Sequence, residues 1–419
     1  MNYVIIGNSA AAVGAVEAIR RLDSEGDITI VSNEAHHTYS RPLISYLLAG
    51  KTDRQRMLYR PSDFYQTHRC RAYLGRMVVK IQPEQKSILM DDGTALSYDK
   101  LLYAAGSVPF IPKMEGLESV VKKFTFLSLD DALALEGALT PDARVLILGA
   151  GLIGLKCAEG IHGRVSQITV VDLSPRVLSS ILDSDASEIV EKHLTNQGIS
   201  FKLGQSIKSL TQNKAVTSCE EEIPFDILVL AAGVRPNTKL LADAGASAER
   251  GILTDDHMQT SLPDIYAAGD CCESFDVSSE QSRVLALLPN AYMQGECAGT
   301  CMAGGDICFG NAIPMNAIGF FGLHILTAGT YTGNIYEYRG KDGQYKKLFY
   351  EKNRLKGYLM LGNVEKAGIY TALIREQTPL DTLDFELICE TPALLAFSRK
   401  FRAHRLGGAT YESEAPAEA

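Results

Sequence analysis

The sequence predicts an α/β fold with two three-layer domains, each built on a parallel sheet, and a smaller α+β domain at the C-terminal end. Two distant segments indicate this fold, because each runs from a short apolar strand through a small-residue turn into a helix. Each segment is followed by a second apolar strand that ends near an acidic residue. This plan is that of a Rossmann-like dinucleotide-binding domain, and 419 residues are enough for two such domains.

The first of these segments is Tyr3–Ala12, which reads YVIIGNSAAA. Gly7 opens its turn, while Ser9 and Ala12 stand where the second and third glycines of the G-x-G-x-x-G pattern would be. All of these residues are small, so a phosphate can still approach the backbone at the start of the helix. The predicted ligands in this turn are Gly7, Ser9, Ala10 and Ala11.

The second segment is Arg144–Gly154, which reads RVLILGAGLIG and contains the full G-x-G-x-x-G pattern. In this pattern the first glycine permits a tight turn, the second lets the backbone reach a pyrophosphate, and the third lets the helix pack on the strand. The alternative is a glycine-rich turn that binds no ligand. The predicted ligands here are Gly149, Gly151, Leu152, Ile153 and Gly154.

An acidic residue follows the second strand of each unit. Glu34 comes after Ile28–Val31, and Asp172 comes after Gln167–Val171. A carboxylate at this point can accept hydrogen bonds from a ribose diol but repels a 2′-phosphate, so Asp172 favours NADH over NADPH. Glu34 is predicted to bind a ribose, with a solvated loop acid as the alternative.

Composition and charge exclude several classes of protein. The net charge of −9 argues against a general nucleic-acid or membrane binder, since both need a basic surface. Residues 307–336 contain no Asp, Glu, Lys or Arg, but their five glycines and their β-branched residues favour buried strands with turns over a membrane span. No signal peptide is evident at the start, so a cytoplasmic location is expected.

The nine cysteines form no C-x-x-C pair, and most are expected to be small core residues of a protein in a reducing compartment. Cys297, Cys301 and Cys308 could be iron–sulfur ligands. They fall in or just after a Gly/Ala-rich helix at residues 295–305, where small buried residues are expected anyway. No metal site is therefore predicted.

The domain organisation follows from repeated segments. Residues 98–109 and 225–237 both run from an apolar strand into an Ala-Ala-Gly turn, which indicates an internal duplication. Strands at 345–350 and 355–361, with a helix at 366–376, indicate the third domain. The predicted boundaries are 1–112 with 241–310 for a first, discontinuous nucleotide-binding domain, 113–240 for the second, 311–405 for the C-terminal α+β domain and 406–419 for a disordered tail.

Five motifs together resemble the FAD/NAD(P)-dependent pyridine nucleotide-disulfide oxidoreductase superfamily over essentially the whole chain. They are Gly7–Ala12, Ala104–Gly106, Gly149–Gly154, Gly233–Asn237 and Ala268–Asp270. The resemblance implies that the first domain binds FAD and the second NAD(H). It also implies that Asp270 hydrogen-bonds the ribityl or pyrophosphate region, and that the helix at 290–303 points its N-terminus at the flavin. The cofactor ligands implied by these motifs are Ala105, Gly106, Gly233, Gly269 and Asp270.

Within the superfamily the chain looks most similar to NADH-dependent rubredoxin or ferredoxin reductases and to the flavin module of assimilatory nitrite reductase. The similarity lies in Tyr39–Pro42 and Gly357–Arg375, and it implies that Arg41 and Pro42 lie near the FAD. Two positions depart from the pattern, because Tyr46 replaces a frequent lysine and Lys156 replaces a frequent glutamate beside the nicotinamide. Lys156 could instead be a surface helix residue.

Disulfide reductases need a C-x4-C pair beside the flavin, and the corresponding segment, residues 41–50, contains no cysteine. No C-terminal His-Glu acid–base pair is visible either, so electrons are expected to leave directly from the flavin without any catalytic side chain. The predicted function is transfer of electrons between NAD(H) and an iron–sulfur carrier protein or iron–sulfur subunit.

Three alternatives stay open at this point. They are the NAD-reducing flavoprotein subunit of a 2-oxoacid oxidoreductase complex, such as that of phenylglyoxylate dehydrogenase, an NADH oxidase that makes peroxide, and a non-catalytic sensor or structural subunit. A homodimer or a subunit of a larger complex is expected. The basic stretch at 51–80 is predicted to be a loop region that docks an acidic carrier, or else a solvated face.

Overall fold

The computed structural model describes residues 1–341, 343–399 and 402. The chain divides into two compact units. The first unit comprises residues 1–276, 281–312 and 319–323, and the second comprises 277–280, 313–318 and the chain from 324 onward.

The first unit contains a five-stranded sheet in which every pair of neighbouring strands is parallel. Its central strand pairs Tyr3 with Ile28 on one side and with Lys100 on the other. The central strands are nearly continuous apolar runs, as expected for a parallel sheet covered on both faces. In spatial order the strands are Ile265–Ala267, Lys100–Tyr103, Asn2–Ile6, Asp27–Ser32 and Cys70–Leu74.

A second five-stranded parallel sheet repeats this arrangement. Its central strand pairs Val145 with Ile168 and with Ile227. In spatial order the strands are Lys123–Thr125, Ile227–Leu230, Arg144–Leu148, Gln167–Asp172 and Ile199–Leu203. The four strands that correspond run in the same chain order in both sheets, so the duplication predicted from the sequence is present in the fold.

The edge strand beside Lys100–Tyr103 comes from a distant part of the chain. Ile265–Ala267 lies beyond all strands of the second sheet in sequence, yet it pairs Ile265 with Leu101. The chain therefore leaves the first sheet, builds the second and returns to complete the first.

Small antiparallel sheets accompany the parallel ones. In each Rossmann-like unit a three-stranded sheet is inserted between the third and fourth of the four corresponding strands in chain order. There are also two-stranded sheets, one of which places Arg235 opposite Val108. The strands are Val78–Gln82, Ser87–Met90 and Ala95–Ser97; Ile207–Leu210, Lys214–Thr217 and Glu222–Pro224; Ser107–Pro109 with Val234–Pro236; and Glu273–Asp276 with Gln281–Val284.

Helices cover the two parallel sheets. Ala10–Leu22 packs against Leu288–Met302 through small residues, and a Cβ atom at Gly295 would collide with the carbonyl oxygen of Ala11. This close approach fixes the two helices relative to each other. The remaining α-helices of the unit are Ile44–Leu48, Phe64–Thr67, Leu129–Glu136, Leu152–Ile161, Ser184–Asn196 and Lys239–Asp243, with 3-10 turns at Arg41–Leu43 and Leu117–Ser119.

The second unit contains an antiparallel sheet and short helices. Its core includes Leu348, Tyr358 and Tyr370, all fully buried. The strands, in spatial order, are Met315–Phe320, Leu323–Gly329, Arg354–Leu361, Tyr345–Glu351 and Asn334–Arg339. Residues 319–323, at the turn between the first two of these strands, are grouped with the first unit. The helices given in full by the described residues are Ala367–Arg375 and Phe385–Glu390, with 3-10 turns at Leu380–Thr382 and Leu394–Ala396.

The charge-free stretch at 307–336 forms strands, as the sequence predicts. Among the described residues, no helix is both long and apolar enough to span a bilayer.

One prediction is corrected by the fold. The basic stretch at 51–80, expected to be a loop region, contains the helix Phe64–Thr67 and the edge strand Cys70–Leu74. The strand was missed because it is partly exposed and contains Arg71, so it lacks the apolar run of its neighbours. The predicted disordered tail at 406–419 lies outside the described residues.

Candidate functional site

A cleft of about 720 Å³ lies at the carboxyl ends of the strands of the first sheet. Parallel sheets commonly bind ligands at this edge, and the volume lies within the range of about 300–1,000 Å³ for ligand pockets. Most of the residues predicted for the first site line it, namely Gly7, Ser9, Ala10, Ala11, Glu34, Arg41, Ala105, Gly106, Gly269 and Asp270.

The turn that opens the cleft requires glycine. Gly7 has a φ of 122°, and a Cβ atom there would collide with the carbonyl oxygen of Ala104, just after the neighbouring strand Lys100–Tyr103. Gly149 has the same geometry in the second sheet, with a φ of 118° and the carbonyl oxygen of Ala231 in the corresponding place. Both turns therefore have the same backbone conformation at their first glycine, although only the second turn has the full G-x-G-x-x-G pattern.

The helix Ala10–Leu22 presents its N-terminus to the cleft. Ser9 is its N-cap residue, and the Ser9 side chain makes no capping hydrogen bond. The first intrahelical bond runs from the Val13 amide to the Ser9 carbonyl oxygen, at 3.0 Å. The N–H groups before Val13 thus have no intrahelical acceptor, which makes this end of the helix suited to a phosphate.

Arg41 and Glu34 form an ion pair in the cleft, with 2.6 Å between the Arg41 Nη2 and Glu34 Oε1 atoms. The Tyr39 hydroxyl donates to the other Glu34 oxygen, also at 2.6 Å, and accepts the Leu129 backbone N–H at 2.9 Å. Arg41 donates as well to the carbonyl oxygen of Leu127, at 3.1 Å. This network holds the guanidinium of Arg41 against the cleft. Glu34 is therefore hydrogen-bonded to Tyr39 and Arg41. Its contact with a ribose stays a prediction.

Asp270 is the second carboxylate of the cleft. Burial raises its pKa above the usual value, while the nearby positive charge of Arg41 and a hydrogen bond from Ser107, at 3.4 Å, oppose this shift. Since a raised folded-state pKa means that ionisation is costly in the folded chain, the ligand-free protein loses stability as the pH rises through that pKa.

Asp270→Asn is therefore expected to keep or raise the stability of the flavin-free protein at neutral pH, and to weaken FAD binding. Urea unfolding of flavin-free wild type and variant at acidic and neutral pH measures the first effect, because the difference should shrink as Asp270 becomes protonated. Fluorescence titration with FAD measures the second. A variant that is less stable at neutral pH and binds FAD normally would contradict this role.

The second glycine-rich turn follows the central strand of the other parallel sheet, and none of its residues lines the cleft. Gly151 is the N-cap residue of Leu152–Ile161, and the first intrahelical bond runs from the Leu155 amide to the Gly151 carbonyl oxygen, so the N–H groups of the first helical turn also have no intrahelical acceptor. No atom lies within 4 Å of where a Cβ at Gly151 would be, whereas a Cβ at Gly154 would collide with the Gly149 carbonyl oxygen. Space for a ligand is therefore present above Gly151.

Asp172 holds the second turn in place. Its two carboxylate oxygens accept backbone N–H groups from Ala150, at 2.6 Å, and from Ser174, at 2.7 Å. Both bonds leave further lone pairs on the carboxylate, so a ribose hydroxyl can still donate to it. Asp172 therefore also stabilises the turn, a role that could not be predicted from its position in the sequence.

Two other predicted ligands lie outside the cleft lining. Pro42 follows Arg41 in a 3-10 turn and does not line the cleft. Gly233 ends the turn after Ile227–Leu230, and its carbonyl oxygen accepts the Phe110 backbone N–H at 2.9 Å. Their roles in cofactor binding stay predictions.

The structure also adds residues that the sequence did not single out. Asn8, inside the first turn, donates to the His36 carbonyl oxygen at 3.1 Å and accepts the Tyr65 hydroxyl at 2.9 Å. His36 lies 2.7 Å from a carboxylate oxygen of Asp130, and both line the cleft. Asn8 could have been found from its place between Gly7 and Ser9, but the His36–Asp130 pair joins residues too far apart in sequence to be paired by any local pattern.

Lys156 is only 16% exposed, which contradicts the alternative of a solvated surface residue. Its ammonium group donates to the carboxylate of Glu159 and to the Gly319 carbonyl oxygen, the latter at 3.1 Å. It also lies 4.8 Å from the ring centroid of Tyr46 and 5.3 Å from that of Phe320. The two residues that depart from the superfamily pattern, Tyr46 and Lys156, therefore contact each other through a cation–π interaction.

All nine cysteines lie in the part of the chain that the structure describes; they are free thiols, and none lines the cleft. Cys271, next to Asp270 in sequence, is fully buried and donates to the Ala268 carbonyl oxygen at 3.3 Å. Burial raises the pKa of Cys271 to about 12, so its thiol stays protonated and is a poor nucleophile.

Comparison with known proteins gives a family for this site. The sequence profile of the pyridine nucleotide-disulphide oxidoreductases matches residues 1–295, which include both glycine-rich turns and Asp270. The chain belongs to the pyridine nucleotide-disulphide oxidoreductase family. The thiol pair for which this family is named has no counterpart beside the cleft, since residues 41–50 contain no cysteine.

Several curated family members are similar over long alignments. The NADH-dependent phenylglyoxylate dehydrogenase subunit epsilon of Aromatoleum evansii is 32% identical over 91% of this chain and 93% of its own length. The nitrite reductase [NAD(P)H] of Bacillus subtilis (strain 168) is 28% identical over 90% of this chain, which spans only 47% of that longer protein. The rubredoxin-NAD(+) reductase of Pseudomonas putida is 29% identical over 73% of this chain and 80% of its own length.

A solved structure shows the same fold. In the covalent putidaredoxin reductase–putidaredoxin complex, a matching chain superposes with a TM-score of 0.86 over 94% of this chain and 97% of its own length. At 22% identity this similarity concerns the fold alone.

These findings confirm the predicted resemblance, the α/β fold class and the prediction of an NAD-dependent oxidoreductase of the pyridine nucleotide-disulphide oxidoreductase family. They support FAD and NAD(H) as its cofactors. The observed cleft fits FAD, because a phosphate-binding helix start, a cation and a buried carboxylate line one volume of suitable size.

Proposed function

We propose that the chain is an FAD-dependent oxidoreductase that passes electrons between NAD(H) and a separate iron–sulfur carrier protein or subunit, without a redox-active cysteine. Two observations together carry this proposal. One chain contains two Rossmann-like sites, and no cysteine is among the residues that line the cleft. Relatives named as rubredoxin-NAD(+) reductase and as a dehydrogenase subunit support it.

In this proposal the first site binds FAD and the second binds NAD(H). The FAD ligands are Gly7, Ser9, Ala10, Ala11, Glu34, Arg41, Pro42, Ala105, Gly106, Gly269 and Asp270. The NAD(H) ligands are Gly149, Gly151, Leu152, Ile153, Gly154, Asp172 and Gly233. The domain boundaries given from the sequence stay a proposal, as does a cytoplasmic location, which the nine free cysteines support.

The residues of the cleft bind and orient the flavin, because a bound flavin itself supplies the hydride and electron chemistry. The helix Leu288–Met302 starts at the cleft, with Leu288 and Ala291 among the lining residues, and its N-terminal dipole favours negative charge there. Arg41 adds a fixed positive charge, and Asp270 supplies a carboxylate that can accept hydroxyl hydrogen bonds. No side chain has to act as a general base in this arrangement.

The exposed arginines Arg54 and Arg56 are proposed to steer an acidic carrier. Arg60, in the same basic stretch, is already paired with Glu17 at 2.6 Å, so it is less available to a partner. The docking surface is thus proposed to be smaller than the whole stretch at 51–80.

The double variant Arg54→Glu/Arg56→Glu is expected to slow reduction of an acidic ferredoxin or rubredoxin about tenfold or more at low salt, with the effect fading as salt screens the charges. Turnover with NADH and a neutral dye should not change. The matched control is Lys208→Glu/Lys214→Glu, which makes the same change in net charge on the small sheet of the other Rossmann-like unit. Equal slowing by both double variants would contradict a specific docking surface.

A second candidate function is the NAD-coupling subunit of a 2-oxoacid dehydrogenase complex. It is favoured by the alignment with the phenylglyoxylate dehydrogenase subunit, which covers nearly the full length of both proteins. Purification from the native host followed by iron and flavin analysis distinguishes the two. A stable iron-containing complex with oxoacid activity supports the subunit, whereas a free homodimer supports the separate reductase.

The proposed function is tested by measuring NADH oxidation by the purified protein with three acceptors: an iron–sulfur carrier, a dye and oxygen. Fast reduction of the carrier, with slow oxygen uptake, is expected. Rapid oxygen uptake without a carrier would indicate an NADH oxidase instead. A colourless protein that does not bind added FAD would indicate a sensor or structural subunit and would overturn the proposal.

A further inference from the structure

We propose that Asp256, His257 and Cys308 bind one thiophilic divalent cation of the Zn²⁺ class, at a site separate from the nucleotide cleft. Each side chain offers one ligand atom, and these atoms all lie within 4.8 Å of one another. The sequence predicts no metal site, because only the spacing of cysteines near one helix is visible in it. The fold instead brings Cys308 to a histidine and an aspartate from a distant turn.

Two of the three distances between the ligand atoms are slightly longer than those around a single ion, and the third is within 4.8 Å. The Nε2 atom of His257 lies 3.7 Å from Asp256 Oδ1 and 4.0 Å from Cys308 Sγ. Ligand atoms about 2.0–2.3 Å from a tetrahedral Zn²⁺ lie about 3.3–3.6 Å from each other. The three exposed or half-exposed side chains must therefore draw closer together when an ion binds.

The imidazole of His257 is oriented for metal binding. Its Nδ1 atom lies 2.9 Å from the carbonyl oxygen of Ile307, so Nδ1 carries the hydrogen and donates it. The lone pair is therefore on Nε2, which faces Asp256 and Cys308. A histidine ligand typically donates its second ring N–H to a backbone carbonyl or a carboxylate, and Asp306 lies on that side too, at 3.6 Å.

Backbone hydrogen bonds hold the ligands together without a metal. The Asp255 carboxylate accepts the N–H groups of His257, at 3.0 Å, and of Gln259, at 2.8 Å, and so fixes a tight turn. The Phe309 N–H donates to the Asp256 carbonyl oxygen at 2.7 Å, which ties this turn to the segment that contains Cys308. The backbone of both segments is therefore fixed before an ion binds, and only the ligand side chains have to adjust.

The ligand types select the ion. One thiolate, one imidazole and one carboxylate suit Zn²⁺, whereas Ca²⁺ and Mg²⁺ prefer oxygen ligands alone and iron–sulfur clusters require several cysteines. Cys301 is close to His257, at 3.7 Å, but it lies next to Nδ1, the nitrogen that donates to Ile307. It is therefore not a ligand of the same ion, and the fourth position is open to water.

The site lies at the far end of a helix from the cleft. Leu288–Met302 has 15 residues, so it is about 22 Å long. Its first residues line the cleft, while Cys308 follows its last turn. The ion thus ties the turn at 255–259 to the segment after the helix, and it should affect stability rather than flavin chemistry.

The experiment uses the reduced, tag-free full-length protein and titrates it with Co²⁺ and with Zn²⁺ in competition with a chromophoric chelator. One ion per chain and a thiolate-to-cobalt charge-transfer band are expected, together with a rise in the thermal midpoint on adding Zn²⁺. His257→Gln and Cys308→Ser should each weaken binding at least about tenfold, and Cys308→Ser should abolish the band.

The matched control is Cys219→Ser, since Cys219 is also an exposed free thiol but lies in the other Rossmann-like unit. It should bind Co²⁺ as the wild type does. Circular dichroism and the metal-free thermal midpoint show whether each variant is folded. Absence of a thiolate band in the wild type, or equal affinity in wild type and Cys308→Ser, would overturn the proposal.

Discussion

Replacing Gly151 with alanine is expected to raise the KM for NADH about tenfold or more and to leave the thermal midpoint unchanged. The backbone at Gly151, with φ of −79° and ψ of −176°, is accessible to any residue, and the added methyl group meets no protein atom. It would occupy the space in which the pyrophosphate is proposed to meet the helix Leu152–Ile161. A tenfold change corresponds to about 1.4 kcal/mol.

The neighbouring variant Gly149→Ala is the matched control, because it adds the same methyl group two residues away. Here φ is 118°, and the new Cβ would collide with the Ala231 carbonyl oxygen. A loss of about 2–4 kcal/mol of unfolding free energy is expected from strain and collision together. Urea unfolding and steady-state kinetics on both variants separate ligand access from backbone strain.

The outcome that would contradict the assignment is a normal KM for NADH in a well-folded Gly151→Ala protein. In that case the second turn would be a structural feature without a ligand. Equal destabilisation by both variants would show that the space above Gly151 is not open in solution.

The second large effect is expected for Arg41→Ala, which should lower the affinity for FAD about 10–100-fold and give a protein that loses its flavin on purification. The variant removes the ion pair with Glu34 that lines the cleft, along with a bond to the Leu127 carbonyl oxygen. It also leaves Glu34 and Asp270 as two negative charges near the proposed pyrophosphate. Charge-assisted hydrogen bonds are worth about 1.5–3 kcal/mol, which sets the size of the effect.

Arg60→Ala is the control for this prediction. The Arg60–Glu17 pair has the same distance of 2.6 Å, and its side chains are 28% and 20% exposed, against 31% and 17% for Arg41 and Glu34. Arg60 does not line the cleft. Both variants should lose similar stability, but only Arg41→Ala should lose flavin, measured as visible absorbance per chain. Equal flavin loss in both would mean that destabilisation, not ligand contact, is the cause.

The two Rossmann-like sites could be predicted from the sequence because their signal is local. A few adjacent residues, such as those of Gly149–Gly154, determine strand, turn and helix start together. The substitutions at Ser9 and Ala12 did not hide the first site, since the required φ falls on Gly7 alone. Long apolar strands and small-residue turns therefore predict the fold class well.

The features that could not be predicted from the sequence depend on contacts between residues far apart in sequence. Cys70–Leu74 is a strand because an open sheet edge accepts it, not because its own residues are apolar. The contact of Lys156 with Tyr46, and that of Asp172 with the Ala150 amide, arise from helix packing and turn geometry. No spacing rule within one segment could predict these pairs.

In the proposed function, electrons pass from NADH to the flavin and leave it without a thiol relay. Anaerobic titration of the purified protein with NADH tests this claim directly. Because a flavin takes up two electrons and NADH delivers two, about one NADH per bound FAD should bleach the flavin completely and leave the thiol count unchanged. A requirement for two NADH per FAD, with two new thiols appearing, would reveal a redox disulfide and contradict direct electron transfer from the flavin.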